Sequence, residues 1–189
     1  SYSKKILKIC TKKPISLEVF ADDHDNMIRQ AKKINTWGKN VYVKIPVVNS
    51  KGKFTGPAIQ KLNREKVKLN ITAVYTFNQV KQILRKINKN TKTIISIFAG
   101  RMGDQLKNPI PIIKKSVIYT KKYKNVEILW ASTRETYNYL EANQLGCQII
   151  TIPPKIIDKI VNKKKSYKEL TIDTVMGFYK DAKRSKFRI

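Results

Sequence analysis

The sequence predicts an α/β fold in which strands and helices alternate around a parallel sheet, and three observations carry that expectation. Short runs of β-branched and apolar residues recur along the chain, each followed by a longer segment with the 3.6-residue apolar period of a helix. Each pair occupies about 25 residues, the spacing of repeated βα units. Neither G-x-G-x-x-G nor a P-loop occurs, so the glycine-rich turn that an open nucleotide-binding sheet normally carries is missing from the sequence.

Taken in order, Ile6, Leu7 and Ile9 suggest the tail of a helix ahead of the first strand. Strands are expected at residues 15–20, 41–47, 69–74, 93–98, 126–131 and 148–152, where β-branched and aromatic residues cluster. Between and after them, apolar periodicity suggests helices at 25–36, 57–65, 78–87, 110–122, 134–145 and 154–162. A closing helix is expected at 172–182, with Val175, Met176 and Phe178 on its apolar face. With 189 residues and 41% hydrophobic content, the chain suits one sizeable core, read as a single domain over 1–189.

Composition narrows the function classes. The apolar runs around 94–99 and 126–131 are far shorter than the roughly 20 residues of a membrane helix, so no membrane partner is expected. Cys10 and Cys147 stand alone in apolar contexts without metal-type spacing, and are read as core residues of a cytoplasmic protein. His24 is the single histidine, which removes His-based triads and multi-histidine metal sites; it is expected to be solvated at a helix start. The net charge of +27 suggests a polyanion partner. The lysines are spread along the chain, however, in Lys4-Lys5, Lys32-Lys33, Lys121-Lys122 and Lys163 to Lys165, and no RNP-like motif or zinc finger accompanies them. That pattern favours a solvated lysine-rich surface over a nucleic-acid site.

The strands carry polar residues near their carboxyl ends: Glu18, Lys44, Asn70 with Thr72, Ser96, and Ser132 just past the fifth. Polar groups within apolar strands are costly unless paired, and the carboxyl-terminal rim is where a βα barrel places its chemistry. Lys44 is the most conspicuous, since the other residues of Val41 to Val47 are apolar or proline apart from Tyr42. Desolvation disfavours an ammonium ion, so a lysine in such a setting can supply the neutral amine that attacks a carbonyl. The plainer reading is a lysine whose head reaches solvent at a strand end. Glu18 one strand earlier and Asn70 and Thr72 one strand later favour chemistry, because they could order a water and hold hydroxyl groups around an imine.

The sequence resembles the transaldolases and their relatives the fructose-6-phosphate aldolases, in segments that come in family order and cover nearly the whole chain. They are ISLEVF at 15–20, VKIPV at 43–47, LNITA at 69–73, ISIFAGR at 95–101, WASTR at 130–134 and LGCQIIT at 145–151. The resemblance implies a TIM (β/α)8 barrel, of which about six of eight βα units are present. It also implies Lys44 as the Schiff-base lysine, with Glu18 and Thr72 serving a catalytic water. Asn70, Ser96 and Phe98 would then meet substrate, and Arg101, Ser132 and Arg134 would grip a sugar phosphate, which guanidinium groups bind in a planar, bidentate manner. Phe98 stands where the aldolases carry a tyrosine, so transfer of a dihydroxyacetone unit in pentose phosphate metabolism is expected over simple aldol cleavage. No metal or cofactor is implied, the partners are sugar phosphates, and a homo-oligomer is compatible with the reading. A basic RNA-binding protein on a retired aldolase scaffold is the alternative from another class. By the family pattern the first two strands are absent, with an aspartate used for proton transfer and an asparagine in a Thr-Asn-Pro segment; the sequence is therefore read as an incomplete chain.

Overall fold

The β-branched runs form one sheet in a computed structural model that describes residues 2–162 and 165–186. Its six parallel strands, β1 (Ile15–Glu18), β2 (Val41–Pro46), β3 (Leu69–Val74), β4 (Thr93–Ile97), β5 (Val126–Trp130) and β6 (Ile149–Ile150), pair in chain order. Sequential order is that of a barrel, since a doubly wound sheet reverses at a switch point. The fold is therefore α/β, a six-strand arc of a TIM-type barrel. Cα packing divides the chain into two compact units, Ser1–Ile152, which holds the sheet, and Pro153–Ile189.

In the first unit the helices are α1 (Tyr2–Ile9), α2 (His24–Asn35), α3 (Gly56–Arg64), α4 (Phe77–Leu84), α5 (Ala99–Gly103), α6 (Ile110–Thr120) and α7 (Tyr137–Gln144). The second unit holds α8 (Pro154–Asn162) and α9 (Tyr167–Ser185). Local chemistry starts them: Asp23 accepts from Asn26 N ahead of α2, and Thr76 with Gln79 forms a capping box at α4. In the second unit Ser166 with Glu169 does the same for α9, which therefore begins before the expected residue 172; its Val175, Met176 and Phe178 are exposed.

Period-two alternation divides the sheet into two faces. Val41, Val43 and Ile45 of β2, Leu69 and Ile71 of β3, Ile95 and Ile97 of β4, and Ile128 and Trp130 of β5 belong to one large apolar core, with helix residues such as Met27, Ile59, Leu62, Ile83 and Ile113. Cross-strand register stacks these positions, for example Ile45 beside Ile71, Ile71 beside Ile95 and Ile95 beside Ile128. The opposite face carries a small cluster of Tyr42, Ile94, Leu129 and Ala131, with Phe98 and Ile149 packed on it. Between Ile71 and Val74 the β3–β4 register slips, and Ala73 takes φ 57° there. This bulge turns Val74 back to the helix-facing side while Asn70 and Thr72 keep the other.

Several expectations need correction. β1 stops at Glu18 and leaves Phe20 exposed, and β6 spans two residues rather than five. α5 has no counterpart in the sequence reading. α7 starts three residues late: the chain turns at Ser132, φ 67°, and the N–H groups of Arg134 and Glu135 gather on Asn138 Oδ1 in a turn ahead of the helix. His24 does open a helix but is half-buried, and its Nε2 is sealed from solvent without a partner among the described residues. Cys147 packs half-buried against the large core, where burial pushes its thiol up to about 11; Cys10 is also half-buried but lies outside that core.

Candidate active site

The second face of the sheet opens into a cavity of about 1000 Å3. Lys44, Asn70, Thr72, Ser96, Phe98, Arg101, Ser132 and Arg134 all line it, although they come from three strands, α5 and the segments that follow β4 and β5. Register explains the gathering. Lys44 lies beside Asn70 in the β2–β3 ladder, and Pro46 beside Thr72, so these side chains share one face at successive levels.

The polar groups on this face largely satisfy one another. Ser96 Oγ donates to Asn70 Oδ1 at 2.7 Å, and Asn70 Nδ2 donates to Ser16 Oγ at 2.9 Å, a relay across β4, β3 and β1. Asn70 and Ser96 are each 2% exposed, so the relay removes a desolvation cost that neither group could bear alone. Lys44 is half-buried, and among the described residues its amine forms no hydrogen bond or ion pair. Thr72 is almost buried, with a hydroxyl that likewise takes no protein partner among the described residues. Deeper on the same face, burial, and then the charge of Glu127, holds the Tyr42 phenol above its usual range.

Glu18 stands apart from this group. It lies opposite Lys44 in the β1–β2 ladder, yet it is exposed and lines a different cavity, with Leu17, Phe20, Gln30 and Trp37. Among the described residues it forms no ion pair with Lys44. β1 has β2 as its one strand neighbour among the described residues, and just past Glu18 the N–H groups of Phe20 and Ala21 donate to Gln30 Oε1 of α2, on the side of that second cavity.

Arg101 reaches the cavity from α5 and Arg134 from the loop after β5, and the two are held differently. The Arg101 guanidinium sits over the Phe98 ring, 5.3 Å from its centre, a cation–π contact that leaves the N–H groups free to face a ligand. Arg134 donates through Nε and Nη2 to both oxygens of Asp104, at 3.1, 3.0 and 2.6 Å. That pairing holds the Asp104 carboxyl below its ordinary range and the guanidinium above its own. The loops meet at Gly100, where a Cβ would stand 1.6 Å from the Ser132 carbonyl oxygen. Ser132 itself takes φ 67°, so the chain turns sharply between β5 and Arg134.

A family model described as Transaldolase/Fructose-6-phosphate aldolase matches residues 2–189. The chain belongs to this family. Within it, a probable transaldolase of Thermoanaerobacter sp. (strain X514) is 34% identical over 149 residues, which cover 78% of this chain and 65% of that protein. One of Thermoplasma volcanium is 33% identical over 169 residues, covering 89% of this chain and 72% of that protein. The chain thus spans about two thirds of the length of these relatives. Among solved structures, mandelate oxidase with (S)-2-phenylpropionate superposes with a TM-score of 0.57 at 10% identity, over 84% of this chain and 54% of that one. At that identity the likeness is one of fold. No helix among the described residues is long and apolar enough to cross a membrane.

The sequence reading missed several residues of this cavity and its support, among them Ser16, Glu127, Gly100 and Asp104. Ser16 sits two positions before Glu18 on one strand face, so alternation could have found it. Glu127 is a charged residue in an otherwise apolar strand and lines the same cavity. Gly100 and Asp104 were hidden because α5 has no apolar period: it is a single turn with glycines at two of five positions.

Proposed function

We propose that this chain carries the imine-forming and phosphate-binding part of a transaldolase-type site, which moves a dihydroxyacetone unit between sugar phosphates. The observation that carries the proposal is the unpartnered amine of Lys44, opening into the same cavity as Thr72, the Asn70–Ser96 pair and two arginines. In the proposed sequence the Lys44 amine adds to the C2 carbonyl of a ketose phosphate, and the resulting carbinolamine loses water to give an iminium ion. The C3–C4 bond then breaks: its electron pair moves into the C2–C3 enamine, the C4 hydroxyl gives its proton to a base, and the aldose phosphate leaves. The enamine adds to the aldehyde carbon of an acceptor, and water releases the new ketose and the free amine.

Thr72 is proposed to hold the water that enters and leaves at C2, with Glu18 its partner across that water, the carboxylate reaching the water and not the amine itself. Asn70 and Ser96 are proposed to meet substrate hydroxyls, and Arg101, Arg134 and Ser132 the phosphate. Phe98 offers neither a proton nor a hydrogen bond to a water, which favours transfer to an acceptor over release of free dihydroxyacetone. The chemistry calls for neither metal nor organic cofactor, and two free cysteines suit a reducing cytoplasm.

Borohydride reduction in the presence of fructose 6-phosphate tests the proposal. A stable secondary amine is expected on Lys44 and is absent from Lys44→Ala; a peptide map that leaves Lys44 unmodified overturns the reading. Product analysis without an acceptor separates transferase from aldolase, since the aldolase alone accumulates free dihydroxyacetone.

A further inference from the structure

The ion pair between Asp104 and Arg134 is the best-formed polar contact beside the cavity, and stability does not explain it. Both side chains are about half exposed, at 43% and 50%. Ion pairs of that exposure contribute little to folding, because water screens them and ordering two side chains costs entropy. What the pair does is mechanical. The carboxylate engages Nε and one terminal nitrogen, which fixes the plane and the rotation of the guanidinium, and it leaves Nη1 without a protein partner among the described residues.

Placement decides whether Asp104 competes with a ligand or supports one. Arg134 lines the Lys44 cavity, whereas Asp104 does not; Asp104 instead lines two neighbouring cavities, next to Gln105 in one and Glu135 in the other, and Arg134 borders both of those as well. The carboxylate therefore meets the guanidinium from outside the Lys44 cavity, and Arg134 is the member of the pair that reaches into it. Backbone contacts fix both partners. Asp104 caps α5, with its N–H on Gly100 O at 2.9 Å, and lies three residues after Arg101, one helical turn away. Gly100 brings α5 into backbone contact with Ser132, and the N–H of Arg134 is tied to Asn138, itself bonded to Glu141. Neither side chain has to search for the other.

We propose that Asp104 is a positioning residue: it braces the Arg134 fork from outside the cavity and thereby sets the preference of the site for phosphorylated over unphosphorylated ketoses. The proposal rests on the reading of Arg134 as a phosphate ligand. A braced arginine meets a phosphate with its rotamer entropy already lost, and an unbraced one must lose it on binding.

The test is a titration of Lys44 trapping by borohydride with fructose 6-phosphate and, in parallel, with dihydroxyacetone. In Asp104→Ala the half-saturating concentration of fructose 6-phosphate should rise about tenfold, the effect expected when a long side chain must be ordered on binding. The value for dihydroxyacetone should not move. Asp104→Asn, which retains an accepting oxygen without the charge, should fall between, and keeps the test available if alanine disturbs the fold. In an Arg134→Ala background, removing Asp104 should add nothing. Equal shifts for both sugars, no shift, or tighter binding of fructose 6-phosphate in Asp104→Ala overturns the proposal, the last because it makes Asp104 a competitor. If the parent chain traps neither sugar, it is the Lys44 reading that fails. Titration with inorganic phosphate, followed through the Arg134 Nε–H resonance, then decides on Asp104 by itself: weaker binding in Asp104→Ala supports the brace, and unchanged or tighter binding refutes it.

Discussion

Gly100→Ala is the substitution whose consequence the structure fixes most closely. An alanine Cβ at this position would lie 1.6 Å from the Ser132 oxygen, 2.7 Å from its carbonyl carbon and 3.0 Å from Cγ of Arg134. The first two atoms are backbone and cannot rotate away. A relaxed carbon–oxygen contact is about 3.3 Å, so α5 and the loop after β5 must part by about 1.7 Å. Overpacking of this kind costs about 1–3 kcal/mol. Alanine is the better helix former and offsets about 0.5–1 kcal/mol of that, since Gly100 does not use a left-handed φ. The net expectation is a loss of up to about 2.5 kcal/mol, which lowers a urea midpoint by up to about 1 M. Gly103→Ala is the control, because it changes the same turn of helix and its Cβ meets nothing within 4 Å. The control should be neutral or slightly stabilising. A displacement well above the roughly 0.5 Å that a binding constellation tolerates should also weaken capture of fructose 6-phosphate in Gly100→Ala alone. If the two variants unfold at the same urea concentration and trap the sugar equally, the docking of α5 on Ser132 does not organise the arginines, and the reasoning fails.

Asn70→Ala removes the centre of the Ser16–Asn70–Ser96 relay and leaves the buried Ser96 hydroxyl without its acceptor, so a loss of about 1–3 kcal/mol is expected by chemical denaturation. A variant as stable as the parent removes the relay from the account. Ala73→Gly should be neutral or stabilising by up to about 1 kcal/mol, because an alanine at φ 57° bears a steric penalty that glycine lacks; clear destabilisation would show that the Ala73 methyl packs usefully. Because hydrogen bonds from Arg134 hold the Asp104 carboxyl below its ordinary range, the ion pair is fully formed above the unfolded carboxylate value and lost as pH falls through the lower, folded one. The carboxyl carbon resonance of Asp104 should therefore titrate at lower pH in the parent than in Arg134→Ala, and coincident titrations dispose of the pairing.

The helix-facing half of the sheet was legible in the sequence because it depends on periodicity alone. Val41-x-Val43-x-Ile45 and Ile95-x-Ile97 announce a buried strand face wherever they occur, and strands so marked pair in chain order once helices connect them. Elements that depend on a neighbour were not legible. α5 exists because a glycine lets its backbone meet Ser132, a contact between residues more than thirty apart. α7 starts late because Asn138 Oδ1 gathers the Arg134 and Glu135 N–H groups into a turn ahead of it, a contact no apolar period announces. The start of α9 is a different matter, since Ser166 and Glu169 stand in the sequence at capping-box spacing and were passed over. In the site, the residues that share strand register with Lys44 could be foreseen from alternation. Arg101 and Arg134 lie outside the strands, and it was their resemblance to family segments, not any period, that pointed to them. Asp104 carried neither signal.

The cavity face follows a physical division of labour. A polar side chain inside a sheet must find a partner or reach solvent, and the two outcomes sort the residues by what they can do. Ser16, Asn70 and Ser96 bond to one another, which fixes their rotamers and leaves the second N–H of the Asn70 amide and the lone pairs of Ser96 Oγ for a ligand. Arg134 is half committed, with one edge on Asp104 and the other open. Lys44 and Thr72 are uncommitted to any protein group among the described residues. An amine that must attack a carbonyl belongs in the last class, since a salt bridge would hold it as an ammonium ion and turn its lone pair into an N–H. A group that recognises a phosphate belongs in the middle one, because a fork held on one edge presents the other in a single orientation. The same sorting locates the change that would make Lys44 inert: a carboxylate placed within ion-pair reach of Nζ, as Thr72→Asp would place one on the neighbouring strand. Thr72→Asp should abolish borohydride trapping at pH 7 while the chain still folds, and trapping should return in part in Thr72→Asn, which has the same shape and no charge but lacks the hydroxyl proposed to hold the water. Equal trapping in both variants would mean that the freedom of the Lys44 amine is not what makes it reactive.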